Sequence, residues 1–348
     1  MAGMVVVNNP GDWGHVYPPL LHAEWNGWTP TDLVFPFFLF IVGVAITLSS
    51  RTGSVASILK RAVVIFAVGL FLAAYPRFDP GRLRFAGVLQ RIAICYTAAA
   101  LLWRWSARRP RRAAVLGAVA AVLMLVYWAA VTIVPVPGGR AGDLSPGNDL
   151  GAFIDRALMA GHLYKPTWDP EGLLSTVPAI ATTLLGTLAG LWMRRDVPPA
   201  RKAGWLAAAG AGAMLAGQLW DAAFPINKNL WTSSYVMFTG GGAALFLAAC
   251  YWLVDVRGWR AWAKPFVILG MNALALYAFS ALLVKTLGRI TITLDDGRAA
   301  SGSRWIYQTA FAPYFAPNNA SVLYALANLG LLFLVLLWMY RRKIFLKA

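Results

Sequence analysis

HAEWNGWTPTDLVFPFFLFIVG, residues His22 to Gly43, runs from a polar, tryptophan-rich loop into a long apolar helix. His22, Glu24, Asn26 and Asp32 fall within eleven residues, where the chain would enter hydrocarbon. Ionisable groups at a bilayer boundary are costly unless they are paired or used, so this loop is a functional-site candidate. The rest of the sequence reads as a membrane body built around it.

Outward from that stretch the chain stays apolar. Of 348 residues, 59% are hydrophobic and 13% charged, with a mean hydropathy of +0.59. A soluble domain carries roughly 25% charged residues. The expected fold is all-α: one transmembrane domain over residues 1–348, a polytopic bundle of about ten helices, each near the ~20 residues that cross a bilayer. The spans read as a stub at Met1–Asn8, a helix begun partway, then Thr31–Ser50, Ile58–Pro76, Ala86–Trp105, Ala113–Val134, Leu173–Met193, Ala203–Trp220, Leu230–Val254, Pro265–Leu287 and Ser321–Tyr340. The 16 tryptophans suit interfacial belts.

The net charge of +17 does not point to nucleic acid, because the basic residues sit in short clusters between apolar runs. With the stub's N-terminus inside, the inner segments collect Arg51, Lys60 and Arg61, then Arg104 with the cluster Arg108 to Arg112, Arg194 to Lys202, Arg257 to Lys264, and Arg341 to Lys347. Their only acids are Asp196 and Asp255. That asymmetry puts the C-terminus in the cytoplasm. One outer segment, Arg77 to Arg91, breaks the trend with four arginines and is flagged as functional. Cys95 and Cys250 lie inside spans, which argues against a disulfide. His15, His22 and His162 show no metal-binding spacing, so no metal is expected.

Four helices start at the outer face with polar residues: Thr29-Pro30-Thr31-Asp32, Trp168-Asp169-Pro170-Glu171-Gly172, Gly87 to Arg91, and Asn227 to Ser234. Each start offers free N–H groups that could hold a polar ligand or an oxyanion. Asp32 and Asp169 read first as capping acids. Arg91, with Gln90 beside it, needs either a ligand or a partner such as Asp32, Asp169 or Glu171. His22 is the natural base at neutral pH, with Glu24 placed to orient it. Asn272, inside an apolar span, reads as interhelical glue. Pro36 and Pro178 are expected to kink their helices. Trp25, Trp28, Trp168 and Trp231 are belt residues that would equally stack on a sugar ring.

Taken together, VNN at Val7–Asn9, the His22–Gly43 stretch, GVLQR at Gly87–Arg91, DPEG at Asp169–Gly172, NKNLWTSSYV at Asn227–Val236, GMN at Gly270–Asn272 and RRKIFLK at Arg341–Lys347 carry a resemblance. The chain resembles the catalytic membrane domain of heparan-α-glucosaminide N-acetyltransferase and its bacterial relatives, within the wider transmembrane acyltransferase group. The resemblance implies an integral protein of the bacterial inner membrane, dimeric, that moves acetyl from cytoplasmic acetyl-CoA to a glucosamine-type amine on the outer side. The family's active histidine falls on His22, and its asparagine on Asn8 with Asn9 as the alternative. Acceptor-side residues are then Asn9, Glu24, Trp25, Asn26, Asp32, Asp169, Glu171, Asn229 and Trp231. Those marked for acetyl-CoA are Gln90, Arg91, Lys228, Ser234 and Asn272. A secondary transporter for amino sugars is the alternative, and a structural membrane subunit a third reading.

Overall fold

A computed structural model describes residues 1–49, 54–293 and 299–346. Ser50, at the end of an expected span, and the inner-side cations Arg51 and Lys347 lie outside the described residues. Thirteen α-helices and one short hairpin are described. The first seven helices are α1 (Ala2–Asn8), α2 (Val34–Leu48), α3 (Val55–Ala74), α4 (Val88–Trp105), α5 (Arg112–Ile133), α6 (Leu150–Met159) and α7 (Leu173–Met193). The rest are α8 (Pro199–Trp220), α9 (Ser233–Tyr251), α10 (Lys264–Met271), α11 (Ala273–Arg289), α12 (Gly302–Ala310) and α13 (Pro317–Arg341). Thr291–Thr293 and Ala299–Ser301 pair as antiparallel strands β1 and β2.

The chain is a polytopic helical bundle. Among the described residues, six helical segments are long and apolar enough to cross a membrane: Pro30–Leu48, α3, α5, α7, Ser233–Val256 and α13. The pair α10 and α11 makes a seventh if taken as one bent span. The expected figure of about ten is not reached on this measure. α4 and α8 form where spans are expected, but Gln90, Arg91 and Arg104 in the one, and Arg201, Lys202 and Gln218 in the other, lower their apolarity. α4 tolerates its polar residues because it packs among α2, α3 and α7, so Gln90 and Arg91 face protein.

The expected span Pro265–Leu287 is broken by 72° between α10 and α11. Asn272 sits at the break with non-helical backbone, and its amide is used within the chain: it donates to the Ile344 carbonyl at 3.0 Å and accepts from Leu346 N–H at 2.9 Å. Pro36, expected to kink its helix, lies in the first turn of α2, where its missing N–H disrupts little. The Asp32 carbonyl four residues earlier accepts the Tyr235 hydroxyl at 2.5 Å instead. Pro178 does lie within α7.

Small residues bring α2 and α7 into backbone contact. A Cβ on Gly43 would lie 1.9 Å from the Thr183 carbonyl oxygen, and one on Gly186 would lie 1.8 Å from that of Phe40. Such close approach is how helices associate where lipid removes the hydrophobic drive. The two largest apolar cores among the described residues flank the cavity. Leu39, Ile65, Leu89, Leu116, Leu184 and Tyr235 join α2, α3, α4, α5, α7 and α9. Val5, Leu269, Leu276 and Leu336 join α1, α10, α11 and α13. Between these groups lies a cavity of about 810 Å³. Met4, Val7 and Tyr277 wall one side of it, and Phe35, Phe38, Val42, Ile65 and Tyr96 the other.

Candidate active site

The cavity is positioned by α2, which it follows from Asp32 to Ser49. At 1.5 Å per residue that is a run of roughly 25 Å, close to the thickness of the hydrocarbon layer. His22 and Asp32 line one end, with Ser49 at the other. Arg61, early in α3, also lines it, with its guanidinium 5.0 Å from the Tyr96 ring and its Nε buried without a partner.

The His22 end is built by a helix start with two roles. Thr29 and Asp32 form the capping box read from the sequence: Asp32 Oδ2 accepts from the Thr29 N–H at 2.9 Å and the Thr29 hydroxyl at 3.1 Å. It also accepts from Ala23 N–H at 3.0 Å, which closes the loop onto the cap. The other oxygen, Oδ1, stands 2.6 Å from His22 Nδ1. Asp32 is 1% exposed while the imidazole is about half exposed, so a buried carboxylate anchors an accessible ring. A carboxylate only accepts, so it holds the proton on Nδ1 and leaves Nε2 with its lone pair. Asp32, not the exposed Glu24, orients His22.

Lys228 Nζ completes the cluster, 3.0 Å and 3.1 Å from the two ring nitrogens and 3.8 Å from Asp32 Oδ1. Burial pulls its pKa below the ordinary lysine value, opposed by the nearby Asp32 charge. Lys228 thus lies against both the ring and the carboxylate that anchors it.

A second polar wall faces this cluster. Arg84 forks onto Asp169, with Nε to Oδ2 at 2.8 Å and Nη2 to Oδ1 at 2.5 Å, and also reaches Glu171. Burial alone would depress its pKa, but the hydrogen bond to Asp169 and the charges of Glu171 and Asp169 drive it upward, so it stays cationic. Tyr164 covers the guanidinium at 4.8 Å. Arg84, Glu171, Tyr164 and Trp168 all line the cavity near His22. Asp169 is therefore an ion-pair partner rather than a helix cap. The N-terminus of α7 is held instead by Asp155 of α6, whose Oδ1 accepts from Leu173 N–H at 2.9 Å.

The remaining residues divide clearly. Asn8 and Asn229 line the cavity. Asn9 does not, because its amide donates to the Val5 carbonyl at 2.7 Å and Ser280 Oγ at 3.0 Å. Asn26 accepts from Asn227 at 3.0 Å, and the Trp25 indole donates to the Leu144 carbonyl at 2.9 Å, so both brace the loop. Trp25 meets Trp168 edge-on at 5.2 Å. Trp231 and Ser234 are buried in the bundle, bonded to Thr182 and Thr232. Gln90 is buried against Gly69 and Gly87. Arg91 is fully buried under the Trp231 ring and donates to the Gly172 carbonyl and Ser175, not to an acid. Asn272 secures the tail. Among the described residues, no His, Cys, Asp and Glu side chains group in a way that could hold a metal ion.

A family model described as "Heparan-alpha-glucosaminide N-acetyltransferase, catalytic" matches residues 12–217. The chain belongs to this family. Its matched region takes in His22, Asp32, Arg84, Asp169 and Glu171, and so most of the polar end of the cavity. The mouse heparan-alpha-glucosaminide N-acetyltransferase is 31% identical over 336 residues, covering 79% of this chain and 50% of the relative. The human protein of that name is 30% identical over the same length and coverage. The chain thus spans about half the length of the curated relatives it matches.

Arg84 and Tyr164 are the site residues that sequence reasoning missed. The signal for Arg84 was the arginine-rich segment that broke the charge asymmetry. Tyr164 carried no signal of its own.

Proposed function

We propose that this chain transfers an acetyl group from cytoplasmic acetyl-CoA to the amine of a glucosamine-type sugar on the outer side of a bacterial inner membrane. The observation that carries the proposal is the accessible His22 ring anchored by the buried Asp32 at one end of a cavity long enough to follow α2 across the bilayer. Acetyl-CoA would enter at the Ser49 end, its phosphates near Arg61 and its pantetheine arm along Val42 and Phe38. The charge asymmetry of the loops supports this direction.

At the His22 end the sugar amine attacks the thioester carbonyl carbon, forming the C–N bond. His22 Nε2 takes the amine proton while Asp32 holds Nδ1–H and steadies the imidazolium. Asn8 and Lys228 donate to the carbonyl oxygen as it gains charge. The C–S bond then breaks, and the thiolate leaves as CoA with the proton from His22. General base catalysis contributes roughly 10²–10⁴ in rate and one oxyanion donor about 10²–10³. Glu171, Tyr164 and Trp168 form a polar and aromatic wall suited to a sugar. Acetyl transfer by way of His22 itself is the variant scheme.

Proteoliposomes test the direction and the acceptor together. Acetyl-CoA is supplied only on the side of the basic C-terminus and glucosamine only on the other. N-acetylglucosamine forming in the glucosamine compartment supports the proposal. Glucosamine crossing without acetyl-CoA, and without product, would replace it with the transporter.

A further inference from the structure

The arginines between Arg77 and Arg91 fall into two kinds. Arg84 is neutralised by Asp169 and Glu171, and Arg91 is buried in the bundle. Arg77 and Arg82 are exposed, and Arg82 has only a loose 3.9 Å approach to Asp79. The fold brings both beside Lys285 and Arg289 of α11, around a second cavity of about 420 Å³ between the C-terminal ends of α3 and α11. Among the described residues that line it, four basic side chains face one carboxylate, Asp79. Lys285 Nζ donates to the Leu72 and Tyr75 carbonyls, the latter at 2.9 Å. It thereby covers the carbonyls at the end of α3, which would otherwise repel an anion, and keeps one N–H free.

The surroundings of this cavity are those of a lipid, not of a soluble ion. It opens where two candidate spans end, beside the largely lipid-facing α3. Val63, Phe71 and Phe78 of that region and Ile290 after α11 are exposed apolar side chains. Arginine matches phosphate geometry with paired N–H donors, and basic pockets between membrane helices take anionic headgroups.

We propose that the pocket framed by Arg77, Arg82, Lys285 and Arg289 binds the phosphate of an anionic membrane lipid whose acyl chains lie along α3. The mouth adjoins Arg84 through Leu83, so the lipid sits beside the entrance to the His22 cavity without entering it.

The test is titration of phosphatidylglycerol and phosphatidylcholine into the detergent-solubilised full chain, read by native mass spectrometry. The variant is Arg77→Gln with Arg289→Gln, and the charge-matched control is Arg108→Gln with Arg111→Gln. Each cation that contacts the headgroup contributes about fivefold to its affinity, so the variant should bind phosphatidylglycerol roughly thirtyfold more weakly, while the control pair, which does not line the pocket, should leave the tightest binding event unchanged. Equal binding of both lipids, or an unaffected double variant with unchanged thermal midpoint, would overturn the proposal. So would displacement of phosphatidylglycerol by millimolar inorganic phosphate, which would mark a soluble-oxyanion site. Acetyl transfer is not the readout, so either outcome leaves the assignment of His22 untouched.

Discussion

Asp32→Asn is the most informative single substitution. The two carboxylate oxygens are unequal: Oδ2 receives Ala23 N–H, Thr29 N–H and the Thr29 hydroxyl, while Oδ1 faces only His22 Nδ1 and, more distantly, Lys228. An asparagine has one oxygen, and the two backbone N–H donors from Ala23 and Thr29 place it at the Oδ2 position. Its NH₂ then points at His22 Nδ1, which must accept, and the ring proton moves to Nε2. The base has then lost the lone pair that takes the amine proton. A forced tautomer of this kind lowers kcat by about 10⁴ in a triad enzyme. A loss of roughly 10³–10⁴ in kcat is expected here, about 4–5.5 kcal/mol of transition-state stabilisation. The KM for acetyl-CoA should change little, because the rest of the cavity is untouched. Initial rates of acetyl transfer at saturating substrate give the comparison, with the thermal midpoint as a check on folding. A well-folded variant retaining more than a tenth of wild-type kcat would refute the tautomer argument.

Three other outcomes follow from the same geometry. Val42→Trp, partway along the cavity wall, should raise the KM for acetyl-CoA at least about tenfold and leave the His22–Asp32 pair intact, read by steady-state kinetics. Gly186→Ala should lower stability by about 1–3 kcal/mol or more, since its Cβ would sit 1.8 Å from the Phe40 carbonyl oxygen; the thermal midpoint in detergent reports it. Burial raises the pKa of Asp155 to about 6, against the Leu173 hydrogen bond and with repulsion from Asp169 and Asp149. The folded protein therefore binds this proton more tightly than the unfolded chain. The stabilisation is full below the unfolded value of 3.8 and is lost as pH rises through 6, about 3 kcal/mol across that window. Thermal midpoints should accordingly rise as pH falls from 7 towards 5, and Asp155→Asn should flatten that slope.

Much of the bundle was legible because apolar runs of the right length, punctuated by basic clusters, mark spans without reference to tertiary contacts. The capping box at Thr29–Asp32 was equally visible, since it is local. Its second role was not: the His22 bond depends on how an irregular loop folds back over ten residues, and Glu24 looked as close in sequence. Arg84 and Arg91 show the same limit. Both are far from Asp169 and Glu171 along the chain, and only the packing of α4 on α7 decides that Arg84 takes the acids while Arg91 is turned under Trp231. Asn8 ends α1 and lines the cavity, whereas its neighbour Asn9, just past the helix, bonds to Ser280. The bend at Asn272 was hidden because the flanking residues are apolar enough for a continuous span. The side chain at the break bonds to the chain's tail, more than seventy residues later.

His22 is proposed here as the base for acetyl transfer. The direct measurement is formation of N-acetylglucosamine from radiolabelled acetyl-CoA and glucosamine by the purified protein, with His22→Ala in parallel. Transfer by the wild type that falls by at least about a hundredfold in a folded variant is the predicted result. Equal rates from both proteins would contradict it.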